Sequence, residues 1–180
     1  PGGGLLYTFS DGSIRRIDRS FPHRNQYGAH FFSYKENIFL IGGYGYWQTK
    51  SIITKFNFNS GDWEIINTIG QQPKGIDQGT YFMSNNKLYV FDFLSRDTNT
   101  QKEKRNENLY VLDLDNYEWK KLGVINDNVE LINIKNKGPK RFFEFDDRLI
   151  FSYLDAPEFF MVDIQNNSFQ SFKDEVLFYK

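Results

Sequence analysis

Apolar and polar positions along the chain fall into short runs, each closed by Asn, Asp, Gly or Ser. The clearest stretch is AHFFSY (Ala29–Tyr34), a polar break, and then IFLIGG (Ile38–Gly43). A loop, a third run (Ile52–Phe58), a turn (Asn59–Asp62) and Trp63 opening a fourth run complete the plan. Residues 79–122 and 140–172 repeat it. Runs of this length, rich in aromatic and β-branched residues and bounded by turn formers, predict strands. In each repeat two strands meet across a short polar turn, at Glu36-Asn37, Asn85-Asn86 and Asp146-Asp147. A third strand ends at Asn57, Asp113 or Asp163, and six residues later stands a large aromatic, Trp63, Trp119 or Phe169. Asn and Asp suit the start of a tight turn because their short side chains bond back to the local backbone. The aromatic then folds onto the strand pair it follows. These aromatics are spaced 56 and then 50 residues apart.

Ahead of the repeats, Leu5–Phe9 and Ser13–Phe21 flank Ser10-Asp11-Gly12, an Asp-Gly hairpin signal. Ile14, Ile17 and Phe21 also fit one helical face; we read the segment as a strand.

Four short strands per repeat at a period near 50 match what a β-propeller blade requires. The first repeat resembles the kelch repeat, in Ile38–Ile41, Gly42-Gly43, the turn and Trp63. In the second, Leu88–Phe91 and Trp119 match, but Asp92-Phe93 replace the double glycine. In the third, Leu149–Phe151 match, Ser152-Tyr153 replace the glycines, and Phe169 replaces Trp. The resemblance implies an all-β, kelch-like partial propeller over the whole chain, 1–180. Its parts would be the outer strands of a preceding blade (1–21), blades at 22–66, 79–122 and 140–172, and the start of a further strand (173–180, with Val176–Tyr179). Gly42 and Gly43 are then expected at a positive φ or a close backbone approach. Trp63 and Trp119 are expected to pack between blades. Three repeats and a hairpin do not close a ring. Together with Pro rather than Met at position 1, this suggests a piece of a longer chain, or an array that another chain completes.

If strands A to D of each repeat run antiparallel, the A–B and C–D turns fall on one face. The longer connections fall on the other. The B–C loops are Tyr44–Ser51, Leu94–Asn108 and Leu154–Glu158; the D–A connections are Pro22–Gly28, Asn67–Gln78 and Gly123–Pro139. Long loops on a rigid scaffold are where binding usually sits, and kelch propellers show this bias. The functional expectation is a non-catalytic module that takes a protein or peptide partner through the B–C and D–A side, with carbohydrate as a second occupant. The alternative is part of a propeller enzyme or carbohydrate-binding protein with a polar site at the central mouth. Candidate contacts are Tyr44, Tyr46 and Trp47 as aromatic anchors, and His23, Arg24, Lys140 and Arg141 as a basic patch. Arg15, Arg16 and Arg19, with His30 close by, belong to the same basic cluster, which either grips a carboxylate or phosphate or is a solvated strand face. The charged run Arg96–Asn108 reads as a mobile loop.

Composition narrows this picture. Among 180 residues, 19 Phe and 11 Tyr supply the rings that strands and large-area packing favour. A net charge of −1 gives no global attraction to nucleic acid or an anionic membrane. No apolar run approaches the roughly 18 residues of a membrane span. The absence of Cys excludes disulfides, thiolate metal sites, a Cys nucleophile and the Tyr–Cys crosslink of copper oxidases that share the kelch fold. Two histidines seven residues apart make no metal site, and no cofactor is expected. No G-x-S-x-G, P-loop or dinucleotide fingerprint is present, and no acid pair is singled out for glycoside hydrolysis. No signal peptide is visible, and the cytoplasm is the expected compartment, though nothing fixes it.

Overall fold

The computed structural model describes residues 6–19, 26–96, 100, 102–106, 108–124, 140–146, 148–153, 158–163, 166 and 168–173. Every regular element among them is a β-strand. Among the described residues no helix is long and apolar enough to cross a membrane. The chain divides into two compact units, Pro1–Lys121 and Leu122–Lys180.

The first unit opens with a hairpin, β1 (Tyr7–Ser10) against β2 (Ser13–Arg16). Asp11 and Gly12 turn it at φ 50° and 74°, the left-handed pair that matches strand twist. The strand reading of 13–16 therefore stands over the helical one, although the strand stops at Arg16. A four-stranded antiparallel sheet follows. It is built, in order, from β3 (His30–Tyr34), β4 (Asn37–Ile41), β7 (Ile53–Asn57) and β8 (Asp62–Ile66). Between β4 and β7 lies a two-stranded excursion, β5 (Tyr44–Gly45) with β6 (Gln48–Thr49). The second sheet takes β10 (Thr80–Ser84), β11 (Lys87–Phe91), β14 (Asn108–Asp113) and β15 (Glu118–Val124) in the same order. Its own excursion is β12 (Phe93–Arg96) with β13 (Glu103–Asn106). The expected loop at 96–108 is thus a paired ribbon over its described ends.

Two further departures have physical causes. Asn67–Gln78 is not all connection: within it β9 (Ile69–Gly70) runs parallel to Glu118–Trp119 as a fifth strand of the second sheet. A Cβ on Gly70 would lie 2.3 Å from Trp119 O, so glycine permits that approach. The first A–B turn is Lys35-Glu36, not Glu36-Asn37, with both residues at positive φ (44° and 61°). Left-handed Lys and Glu cost roughly 1–2 kcal/mol each. The Lys35 ammonium meets Asp115, whose carboxylate also accepts the Tyr34 hydroxyl at 2.7 Å and Asn86 Nδ2 at 3.2 Å. The turn that local chemistry disfavours is held from the second sheet. Asn85-Asn86 and Asp146 take positive φ where expected.

Each repeat turns in the same way between its third and fourth strands. Asn57 Oδ1 accepts the N–H groups of Asn59 and Ser60, at 2.9 and 3.2 Å. Asp113 Oδ1 accepts those of Asp115 and Asn116, at 2.9 and 3.3 Å. The backbone then places Trp63 opposite Phe56, with ring centroids 5.3 Å apart.

The core of the first unit gathers at two seams. Trp63, Leu40 and Phe56 pack with Leu6 and Ile17, joining the first sheet to the hairpin. Trp119, Leu88, Val90 and Leu112 pack with Phe32, Phe39, Ile41 and Ile53, joining the two sheets. Both tryptophans therefore pack between a sheet and the element that precedes it.

The second unit holds one antiparallel sheet, β16 (Lys140–Phe145), β17 (Arg148–Tyr153), β18 (Glu158–Asp163) and β19 (Ser168–Lys173). Asp163 Oδ1 accepts the Asn166 N–H at 2.9 Å, and Val162 faces Phe169 across the register, as Phe56 faces Trp63. Hydrogen bonds from Asn166, and then Arg148, hold the Asp163 carboxyl below its usual range. Strand β17 runs on through Ser152-Tyr153, so the third repeat does not break where the first has its glycines. Residues 174–180, including Val176–Tyr179, lie outside the described residues.

Candidate functional site

The connections of the first unit interlace through main-chain hydrogen bonds at one end of its sheets. Gly43 N donates to Ile76 O at 2.7 Å, and Ile76 N to Lys50 O at 2.8 Å. Tyr27 and Tyr44 exchange bonds at 2.9 and 2.8 Å, as do Asp77 and Leu94 at 3.0 and 2.8 Å. Segments 26–29, 42–50, 75–77 and 93–95 thereby form one layer. Gly42 (φ 73°) and Gly43 (φ 90°) make it possible. A Cβ on Gly42 would lie 2.4 Å from Ile76 O, and one on Gly43 2.9 Å from Ala29 N. Beneath the layer, Gln26 is buried with its amide fully used: Nε2 donates to Gly42 O and Ile52 O at 3.2 Å, and Oε1 accepts the Thr54 hydroxyl at 2.9 Å. A buried amide satisfied on both sides pins the loop that carries it.

Two of the three expected aromatic anchors stand clear of this layer. Tyr46 and Trp47 form the tip of the β5–β6 hairpin at φ 49° and 60°, and are 69% and 74% exposed. Tyr44 is half-buried in the layer itself. Tyr27, 66% exposed and bonded to Tyr44 through the backbone, adds a third open ring that the sequence reading missed. Its signal was a Tyr-Gly pair closing the Pro22–Gly28 connection. Large rings at left-handed positions and in water are unfavourable for the isolated chain. They are what a ligand-contacting tip would carry.

The second connection replaces glycine chemistry with charge. Asp92 occupies the position of Gly42 at φ 51°, and its buried carboxylate pairs with the Arg105 guanidinium from β13. This pair adds to the β12–β13 ladder, which joins the described ends of a run whose composition predicts a loop.

The expected basic patch is described only in part. His23 and Arg24 lie outside the described residues. Lys140 and Arg141 open β16 in the second unit, opposite Tyr153 and Ser152. Arg15, Arg16 and Arg19 lie beside Phe58–Gly61, at the end of β7 remote from the 44–49 hairpin. His30 is stacked on Tyr81, with centroids 4.1 Å apart and planes 6° from parallel; burial lowers its pKa from 6.5 to about 4. It is a packing group, neutral at ordinary pH. Burial also pushes the Tyr81 phenol up. Among the described residues no group of three His, Cys, Asp or Glu is placed to hold a metal ion.

At the turn end, Asp115 does more than form a turn. The Lys35 hydrogen bond, then that of Tyr34, holds its carboxyl below the usual range, while Asp115 raises the Lys35 pKa. This contribution is present above the carboxylate range and fades on acidification. It fades again as pH rises past the lysine range. All three partners face water, which weakens the pair.

No family model matches the chain, and no curated protein matches it. Solved structures do. One is that of YjhT, with a TM-score of 0.63 and 13% identity, over 93% of this chain and 58% of that one. At this identity the likeness speaks for the fold, which the chain shares with part of YjhT, spanning less than two thirds of its length.

Proposed function

We propose that the chain is part of a kelch-like β-propeller that binds a protein or peptide partner through the interlaced connections of its first unit. Tyr46 and Trp47 would be the anchors and Tyr27 a flanking contact. The observation that carries this reading is the Tyr46–Trp47 tip: two large rings in strained, exposed positions on a layer held firmly by backbone bonds and Gln26. Exposed Tyr and Trp on a rigid mount are the residues that most often dominate an interface. The repeated third-to-fourth-strand turn supports the propeller element of the proposal, as does the shared place of Trp63 and Trp119 between neighbouring elements. On that reading Lys140 and Arg141 would lie on the corresponding side of a further blade, and more blades or another chain would complete the ring. Carbohydrate is the second occupant, because the same open rings stack on sugars.

Trp47 offers the test. It is the exposed one of three tryptophans, so quenching of its fluorescence by acrylamide reports on the tip. A peptide array and an oligosaccharide array, probed with the 180-residue chain, should yield ligands that protect Trp47 from quenching. The pair Tyr46→Ala and Trp47→Ala should weaken those ligands by roughly 30-fold or more, the scale of a lost hot spot. The melting temperature should not fall. A lower melting temperature would make the rings part of the core, and unchanged affinity would move the site elsewhere.

A further inference from the structure

The opposite end of the first sheet carries a pocket of about 300 Å³ lined by Arg15, Arg16, Arg19, Phe58, Asn59 and Gly61. Its walls come from two places, β2 with the segment after it, and the turn between β7 and β8. Main chain locks them together. Arg19 N donates to Gly61 O at 2.7 Å, and Gly61 N to Asn57 O at 2.8 Å. A Cβ at Gly61, which sits at φ 73°, would lie 2.8 Å from Ile17 O, so the close approach needs glycine. The Asn57 side chain fixes the turn from within by accepting the Asn59 and Ser60 N–H groups. The floor is therefore built before any ligand arrives.

Charge makes the pocket unusual. Three guanidinium groups fall within five residues, and among the described residues no carboxylate pairs with any of them. The nearest acid in the chain, Asp18, is buried and turned to Trp63, whose Nε1 donates to it at 3.2 Å. Three cationic side chains around one pocket favour an anion there. The guanidinium fork matches the paired oxygens of phosphate and carboxylate. Phe58, 56% exposed and set edge-on to Phe56 at 5.1 Å, supplies an apolar wall. The volume is at the lower end of small-molecule pockets.

We propose that this pocket is an oxyanion site: it takes the phosphate or carboxylate group of a small ligand on Arg15, Arg16 and Arg19, with the ligand's body against Phe58. The site lies apart from the Tyr46–Trp47 tip and does not depend on it.

Calorimetric titration of the 180-residue chain, in a buffer free of phosphate, sulfate and citrate, tests the proposal. Pyrophosphate and citrate are added in separate arms, and the arm that binds more tightly names the oxyanion. Saturable one-site binding is expected in at least one arm. Replacing Arg15→Gln and Arg19→Gln together should weaken it by roughly tenfold per guanidinium removed, with an unchanged melting temperature, since both side chains are exposed. Should that pair destabilise the fold, Arg19→Lys alone decides, because it keeps the charge and loses the fork; several-fold weaker binding is expected. Tyr46→Ala with Trp47→Ala should leave the binding intact. No saturation in either arm by about 10 mM would overturn the assignment, because affinity that weak does not report a built site. Binding unaltered in the arginine variants would overturn it equally.

Discussion

The first unit contains two seams that use the same aromatic residue differently. At the seam between the hairpin and the first sheet, Trp63 donates its indole N–H to Asp18. At the seam between the two sheets, Trp119 is fully buried and its Nε1 meets no partner among the described residues. The equivalence is set by the backbone: Arg19 N donates to Gly61 O, and Ile69 N donates to Tyr117 O, each acceptor two residues before the tryptophan. Position 18 of one seam therefore corresponds to position 68 of the other. There Thr68 turns its hydroxyl to Gln72 at 2.7 Å and leaves the indole unanswered. The second seam offsets that loss with area, since its cluster spans both sheets, and with the His30–Tyr81 stack and the Asp115 clasp at its turn end. A small seam depends on a specific polar contact, whereas a large one tolerates an orphaned donor.

The comparison can be broken most sharply at the tryptophans. Trp119→Ala should cost about 3–5 kcal/mol, as for other large buried aromatics. Trp63→Ala should cost less, because its seam buries fewer side chains. Denaturant melts of both variants give the order, and a reversed order would end the distinction. Next in size is Asp18→Ala. It removes the carboxylate that accepts the Trp63 N–H, at a cost of about 2 kcal/mol, read in the same melts; Asp18→Asn, which keeps an acceptor, should cost less. A pH series probes the second seam. Burial holds His30 at about 4 against 6.5 when unfolded. Below pH 6.5 the unfolded chain takes up a proton that the folded one refuses. Stability should therefore fall between about pH 6.5 and 4 and be level above that. The difference between the parent and His30→Phe isolates this, at about 1–2 kcal/mol with partial exposure discounted. Equal slopes in both proteins would count against a buried neutral imidazole. Smallest is Thr68→Asp, which copies the first seam into the second and should raise stability by up to about 1 kcal/mol if the carboxylate reaches Trp119 Nε1.

Much of the strand plan was legible because the residues that make it act on their neighbours. Asn57, Asp113 and Asp163 accept N–H groups two or three residues ahead, so identity and spacing suffice to place the turn. Gly42 and Gly43 were legible for the same reason. Lys35-Glu36 was not, because what stabilises that turn is Asp115, some eighty residues away. Nor was β9, two residues whose partner, Glu118–Trp119, is distant in sequence. The charged ribbon at 93–106 looked like open loop because its ladder and the Arg105–Asp92 pair leave no hydrophobic trace.

The candidate site divides in the same way. Tyr46 and Trp47 were visible as rings in a connection, but their exposure and their backing by Gln26 were not. The arginines were visible as a cluster and misplaced, because the cluster's position depends on Arg19 meeting Gly61 across a fold.

The sequence by itself determined where the main strands of each repeat lie and the recurrence of turn and ring. These follow from backbone alternation and short-range hydrogen bonding. Only the tertiary structure decided which connections interlace and which indole finds a carboxylate. It alone brought Arg15, Arg16 and Arg19 to one pocket. Those outcomes depend on how twisted sheets come together in space, a long-range property that no window of neighbouring residues encodes.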